Sequence, residues 1–437
     1  MKQKEKASLK QLFPDLRFPE FQDAGNWEER PLGKAYSFIV TNSLSRDQLN
    51  YRNGEFKNIH YGDIHTKFST LFDITKETVP YVNEGEAFNK IKTRTICEPG
   101  DIIFADASED LADIGKSIEV VNLNNEKIIS GLHTIHARPT KEIFVIGFGG
   151  YLFKSPKLRF QIQRIAQGAK VLGISASKLS LIDISFPSLP EQKKIADCLS
   201  SLDEVLSLES QKLQSLQSYK KGLLQNLFPA EGETVPKLRF PEFAGAGDWE
   251  ERKLGDVCEL TLRSVDKPKQ GYLGLGVRSH GKGTFQKLEQ DPKANSMDVL
   301  YEVHENDLIV SITFAWEGAV AIASKEDQGG LVSHRFPTYV FKPEETSSNF
   351  FRYIITKKSF VYKLGLISPG GAGRNRVMNK KDFLELKEYF PSLPEQQKIA
   401  DCLSSVDALI QEQVERVEKL KSHKKGLLQG LFPVMGE

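Results

Sequence analysis

The chain has 437 residues, 39% of them hydrophobic and 27% charged, with a formal net charge of +1. That length exceeds one ordinary core and predicts two or three domains, and the composition excludes fibrous and disordered classes. No apolar run approaches the roughly 18 residues a membrane helix needs. The start MKQKEKASLKQLF has no apolar signal core, so a cytoplasmic location and no membrane partner are expected. Cys97, Cys198, Cys258 and Cys402 are too dispersed for a disulfide framework or a zinc spacing. With charge so near zero, any nucleic-acid partner would have to meet positive groups gathered on one face.

From the amino terminus, residues 14 to 33 read PDLRFPEFQDAGNWEERPLG, and they return at 236 to 255 as PKLRFPEFAGAGDWEERKLG. Residues 34 to 185 form a first segment with short apolar runs between turn signals, such as Asp101-Ile102-Ile103-Phe104, which predict strands. Residues 186 to 229 form a long block that returns without a gap at 390 to 433, with 27 of 44 positions identical. A second segment, 256 to 389, is unlike the first in sequence but carries the same kind of strand signal at Asp307-Leu308-Ile309-Val310-Ser311. Such repetition outranks any single motif and means duplication. Constant blocks imply a shared scaffold, and divergent blocks of similar size imply two different targets.

Each long block predicts one helix. Ser188-Leu189-Pro190-Glu191 and Ser392-Leu393-Pro394-Glu395 fit capping boxes, with proline tolerated in the first turn. Apolar residues then step by four and three: Ile195, Leu199, Leu202, Leu206, Leu213, Leu216, Leu223 and Leu227 in one copy. The other has Ile399, Leu403, Val406, Ile410, Val417, Leu420, Leu427 and Leu431. Glu209, Lys220, Gln413 and Lys424 interrupt this heptad seam. Pro229 and Pro433 end the helices, so about 37 helical residues span roughly 55 Å. Matching seams predict that the helices pack on each other, antiparallel, with a pseudo-two-fold axis relating the two halves. The variable domains would then lie at opposite ends of a rod able to set a spacing of about 34–36 Å, one DNA turn.

The run Pro187-Ser188-Leu189-Pro190-Glu191-Gln192, followed by Ile195-Ala196 and Leu199, resembles the end of a target recognition domain in Type I restriction-modification specificity subunits. Trp27 to Gly33 and Trp249 to Gly255 resemble its beginning, and Gly168-Ala169-Lys170 with Ile174-Ser175 also fits the family pattern. The second copy departs there, reading Gly370-Gly371-Ala372-Gly373-Arg374-Asn375-Arg376. The resemblance covers essentially the whole chain. It implies a mixed α/β (α+β) fold with two target recognition domains separated by two long antiparallel coiled-coil helices. The expected division is an N-terminal scaffold segment (1–23), a first recognition domain (24–185) and a central helix with linker (186–235). A second recognition domain with its repeated opening block (236–389) and a C-terminal scaffold helix (390–437) follow. The resemblance further implies binding to a bipartite site on double-stranded DNA. Two modification (methyltransferase) subunits and restriction (translocase-nuclease) subunits would be partners. S-adenosylmethionine, ATP and magnesium are expected on those partners, and no cofactor, metal or catalytic residue on this chain.

Candidate DNA contacts follow from residue chemistry, since arginine can read guanine through two hydrogen bonds and lysine can anchor phosphate. In the second segment Arg278, His280 and Lys282 lie in a glycine-flanked basic loop. His334 and Arg335 form another candidate, and Arg374, Asn375 and Arg376 a third. In the first segment the candidates are Tyr61, Lys67, Lys92, Arg94, His133, His136, Arg138 and Lys170. For His133 and His136 a structural histidine is the favoured reading, His133 because its neighbours are apolar.

Two lookalikes point elsewhere. Gly276 to Gly283 is one residue from a phosphate-binding P-loop, but Gly283 stands where a magnesium-binding hydroxyl belongs. Ile146-Gly147-Phe148-Gly149-Gly150 faintly resembles a cofactor loop, yet no Asn/Asp-Pro-Pro-aromatic motif accompanies it. Asp101 and Asp106 have no spacing that would make them a nuclease pair. The alternative to DNA recognition is a coiled-coil adaptor carrying two protein-binding domains.

Overall fold

Both long blocks fold as single α-helices of 38 residues, Leu189–Asn226 and Leu393–Gly430. The structure is a computed structural model that describes residues 12–85, 95–294, 296–370 and 376–434. The chain divides into two units, 1–211 with 415–437, and 212–414. Each long helix therefore gives one part to each unit.

Within the first unit the helices run antiparallel: Asp203 pairs with Lys424, and further along Glu209 pairs with Arg416 at 2.7 Å. Within the second unit Lys220 pairs with Asp407 at 2.5 Å. Three of the polar interruptions in the seam are thus ion pairs between helices. The apolar seam residues Leu202, Leu206, Leu213 and Leu216 are half-buried. The seam deepens at its ends. Ile195 and Leu199 join Leu431 and Phe432 in the main core of the first unit, and Leu223 and Leu227 join Ile399, Leu403 and Val406 in that of the second.

The capping boxes do not form as expected. The Glu191 carboxylate accepts two hydrogen bonds from Arg17, at 2.8 and 2.7 Å, and one from Trp27 Nε1 at 3.3 Å. Glu395 is held in the same way by Arg239, at 2.8 and 2.7 Å. A buried carboxylate gains more from a bidentate guanidinium than from a helix-start N–H. The repeated opening block makes this contact in both copies through its arginine, Arg17 on Glu191 and Arg239 on Glu395, but only Trp27 adds its N–H, since the buried Trp249 Nε1 has no partner among the described residues. The same block ties to a helix end, through Leu16 N–H to Gly430 O at 2.8 Å and Leu238 N–H to Asn226 O at 2.8 Å.

The two variable segments, unlike in sequence, share a sheet. In the first unit the strand order is Tyr36–Ile39, Thr134–Pro139, Ile102–Ala105, Ser117–Asn122 and Leu71–Asp73. In the second it is Cys258–Leu260, Thr338–Phe341, Leu308–Val310 and Val320–Ile322. Their registers match, with Ile103 opposite His136 and Ile309 opposite Thr338. A short strand of each opening block pairs with the strand entering each long helix: Glu28–Pro31 with Asp183–Phe186, and Glu250–Lys253 with Lys387–Phe390. Beside the shared sheet each unit adds its own. The first has Lys127–Ser130, Phe56–Ile59, Tyr81–Val82 and Leu49–Asn50, and the second a five-stranded sheet ending in the hairpin Tyr272–Val277 and Thr284–Gln290. Among the described residues no helix is long and apolar enough to cross a membrane.

Candidate nucleic-acid interface

Each unit gathers its candidates around one stretch of backbone that leaves the central strand of the shared sheet. In the first unit this stretch begins at Asp106. Its N–H donates to His133 O at 3.0 Å, and its carbonyl accepts from Ile174 N–H at 2.8 Å. Ala107–Ser108 then pairs with Leu172–Gly173, closing the hairpin that carries Lys170. Ala107 O lies 3.0 Å from His65 Nε2, which attaches the helix Tyr61–Thr66. The hairpin needs its glycine: at Gly168, φ +134°, a Cβ would sit 2.0 Å from Val171 O.

In the second unit Ile312 takes the same two bonds, from its N–H to Arg335 O at 3.0 Å and from Met378 N–H to its carbonyl at 2.8 Å. Five and six residues on, His280 N–H donates to Glu317 O and Gly281 N–H to Gly318 O, at 2.8 and 2.9 Å, holding the loop of Arg278 and Lys282. Arg376 lies over the Trp316 ring at 5.5 Å. Backbone links therefore tie the candidates to one hub in each unit: Tyr61, Lys67, His133 and Lys170 in one, and Arg278, His280, Lys282, His334, Arg335 and Arg376 in the other. Lys92, Arg94, Arg374 and Asn375 lie outside the described residues.

The side chains differ sharply between the two hubs. In the first, Tyr61 meets His60, His65 and His133 at ring distances of 4.7, 6.3 and 5.3 Å. Lys67 lies over the Tyr51 ring at 5.9 Å and pairs with buried Asp63 at 2.9 Å, as does Arg46 at 2.8 Å. Burial pushes the Asp63 carboxyl up, but the hydrogen bonds from Arg46 and Lys67 outweigh it and hold it below its ordinary value. Burial, with Arg46 close by, holds His60 below its ordinary value, favouring the neutral ring. Burial raises Asp106 against the opposing pull of His133, 3.2 Å away. In the second hub Arg278, His280, Lys282, His334 and Arg335 are exposed, and the Arg278 guanidinium lies 5.4 Å from the Phe285 ring centroid.

Two expectations need correction. The apolar surroundings expected for His133 are not there: its side chain is 51% exposed at a tight turn, with φ +55°. Arg138, expected to contact DNA, is held by the protein itself, and His136 is the structural histidine expected of it. His136 is fully buried between Ser130 Oγ (3.0 Å) and Asp101 (2.7 Å), and Arg138 grips Asp101 at 2.9 and 2.8 Å. Burial raises the Asp101 carboxyl, and Arg138 and His136 together bring it below its ordinary value.

Cys97, Asp101 and His136 converge closely enough to suggest a metal site. The Arg138 cation already neutralises Asp101, and burial pushes the Cys97 thiol up, away from the thiolate a metal requires. In the second unit Asp307 is held instead by Arg263 at 2.6 Å, which identifies both arrangements as core ion pairs. The P-loop lookalike is a β-hairpin turn with no helix behind it, Val277 facing Thr284. The N–H groups of Gly147 and Gly150 are taken by the Glu119 carboxylate at 2.7 and 2.6 Å, so a carboxylate of the protein already fills the place a phosphate would take.

The model of the Type I restriction modification DNA specificity domain matches residues 48–218 and again 246–421. The chain belongs to that family. As a specificity subunit of a Type I restriction-modification system, it recognises DNA sequence. A Methanocaldococcus jannaschii chain assigned as the MjaX specificity subunit is 27% identical over 419 residues, 92% of each chain. The MjaVIII specificity subunit of the same organism is 24% identical over 294 residues, 64% of this chain and 68% of that one. The S subunit of the M. genitalium Type I system has the same fold, with a TM-score of 0.60 at 16% identity over 97% of this chain and 100% of the other. The residues most easily missed in the sequence are Asp106 and Ile312, since the backbone hydrogen bonds that make each a hub leave no sequence signal.

Proposed function

We propose that each hub of this specificity subunit reads one half of a bipartite DNA site, and that the chain itself catalyses nothing. The observation that carries the reading is the pair of matched main-chain hubs with unmatched side chains, a common mount for two different readers. The second hub, with exposed Arg278, Lys282 and Arg335, has the donors that guanine edges and phosphates accept. The first, with Tyr61, His133 and a neutralised Asp63, has aromatic faces and, among the described residues, few free cations. Two methyltransferase subunits, carrying S-adenosylmethionine and modifying adenine, would be directed by this chain, and restriction subunits with ATP and magnesium would join them. The setting would be the cytoplasm.

Methylation sequencing of DNA from cells expressing this chain with its neighbouring methyltransferase subunit, against cells lacking only this chain, tests the proposal. A split methyladenine motif that depends on the chain is the expected result. Replacing residues 34–185 with another variable segment should change one half of that motif only. A change in both halves, or no dependent motif, would overturn the reading.

A further inference from the structure

Beside the first hub lies an open cavity of about 510 Å³ lined by Gln161, Arg164, Ile165, Ala166, Gln167, Lys178, Leu181 and Ile182. No carboxylate is among these residues. It begins where the recognition hairpin begins: Gln167 bridges to Gly173, with N–H to O distances of 3.0 and 2.7 Å. Two cations reach this wall, and neither has an ion pair among the described residues. Arg164 is exposed and packs on the Phe160 ring at 5.7 Å, and Lys178 is half-buried. Nearby cations in the same unit are engaged. Lys157 pairs with Glu29 at 2.6 Å, and Arg159 donates to the carbonyls of Ala112, Ile114 and Gly115 at 2.6 to 3.0 Å. A lysine whose stem is covered while its head stays in water keeps that charge open to an arriving anion.

The second unit carries the opposite chemistry at the same place. Leu32 N–H donates to Ile182 O and Leu254 N–H to Leu386 O, each at 2.8 Å, which sets Lys178 equivalent to Asp382 and Leu181 to Glu385. Counting along the paired buried positions Leu158 and Ile162 against Phe360 and Leu364 sets Arg164 equivalent to Leu366. A surface for a partner common to both halves would keep one charge. A contact to DNA need not, because the two hubs face different half-sites.

Resting on the DNA reading above, we infer that Arg164 and Lys178 form a backbone-phosphate clamp that anchors DNA beside the first hub, and that the second unit has no counterpart. A guanidinium and an ammonium on the wall of one open cavity, with no carboxylate in its lining, suit a phosphodiester, and such a contact positions the duplex without reading its sequence. The clamp adds cations beside a hub that has few free ones among the described residues.

The test is the salt dependence of DNA binding by the full chain. The probes are a duplex carrying the methylated motif and a mixed-sequence duplex. Each phosphate contact contributes about 0.9 to the slope of log K against log salt. Arg164→Gln with Lys178→Gln should lower that slope by about one to two while keeping the preference for the motif. Lys178→Arg should keep the slope, and Asp382→Asn with Glu385→Gln should not lower it. An unchanged slope in the folded double variant would overturn the clamp. So would an unchanged slope with weakened methyltransferase binding, which would assign the cavity to a partner carboxylate. Failure of the parent chain to prefer the motif would overturn the DNA reading itself, a distinct result.

Discussion

The two units agree where they touch the long helices and disagree where they face a target. The frame is repeated residue for residue: Arg17 on Glu191 and Arg239 on Glu395, Tyr151 on Asp203 and Tyr353 on Asp407, Phe432 near Trp27 and Phe228 near Trp249. Above that frame the same strand order carries different chemistry. Glu119 caps one short helix from a distant strand, whereas Ser347 caps its counterpart locally, at 3.2 Å from Phe350 N. Asp106 and His133 stand where Ile312 and Arg335 stand. Selection on a scaffold acts on buried ion pairs and aromatic contacts, which tolerate little. Selection on a reader acts on exposed side chains whose backbone mounts can stay fixed.

The largest expected effect tests whether the frame is equally needed in both units. Arg17 and Arg239 are nearly buried, and Glu191 and Glu395 are 1% exposed. Removing either arginine leaves a buried carboxylate uncompensated, at a cost of about 3–5 kcal/mol. Arg17→Ala and Arg239→Ala should each lower the unfolding free energy by such an amount, read from urea denaturation. A large loss from one and a small loss from the other would break the equivalence of the frames.

Next in size is the difference in capping. Burial raises the Glu119 carboxyl from 4.5 to about 7, against the two glycine N–H groups that favour its charge. Between those values the native state binds the proton and the unfolded state does not, so stability falls as pH rises through this range. The full span is worth up to about 3 kcal/mol, from 1.4 kcal/mol per unit of pKa. Glu119→Gln should flatten this dependence, read from denaturation at pH 5 and pH 8. Ser347→Ala should cost about 1 kcal/mol at both pH values. A pH dependence that survives Glu119→Gln would place its source elsewhere.

At the hubs the effect should fall on one half-site at a time. Arg335→Ala or Arg278→Ala should lower binding to the motif by about 1–3 kcal/mol if the residue reads a base, and relax one position in one half. His133→Ala should affect the other half alone. Loss at both halves from either variant would merge the two readers into one.

How much of this was legible in the sequence follows the same division. The long helices, their ends and the duplication are written in 27 identities out of 44 and in heptad spacing, because helix packing leaves a periodic trace. The candidates around Arg278 and Lys170 were visible as basic residues near glycines and Arg335 as a basic residue beside a histidine, but their attachment to one hub in each unit was not. It depends on backbone bonds to Asp106 and Ile312, which any side chain permits. Glu191 looked like a capping residue because a helix-start glutamate has two uses, and only the fold brings Arg17 to it. His136 and Arg138 carried the charge and hydrogen-bonding groups of DNA contacts, yet the register of one strand turns them onto buried Asp101.

The smallest expected effect lies in the helix seam. Lys424 pairs with Asp203 and Lys220 with Asp407, and all four side chains are partly exposed. Each aspartate also accepts a tyrosine hydroxyl, Tyr151 on Asp203 at 2.8 Å and Tyr353 on Asp407 at 3.0 Å. Losing the lysine therefore leaves neither carboxylate unpartnered, and solvent screens what remains. A double-mutant cycle of Lys424→Met with Asp203→Asn should give a coupling of about 0.2–1 kcal/mol, and the cycle of Lys220→Met with Asp407→Asn the same. Polar seam positions can also specify register at some expense of stability. Lys424→Leu and Lys220→Leu should then hold or raise the unfolding midpoint while loosening the pairing, read as faster amide exchange along both helices. Unchanged exchange would reduce the polar seam to a tolerated interruption, and a response in one unit only would mean the frames are less alike than their residues.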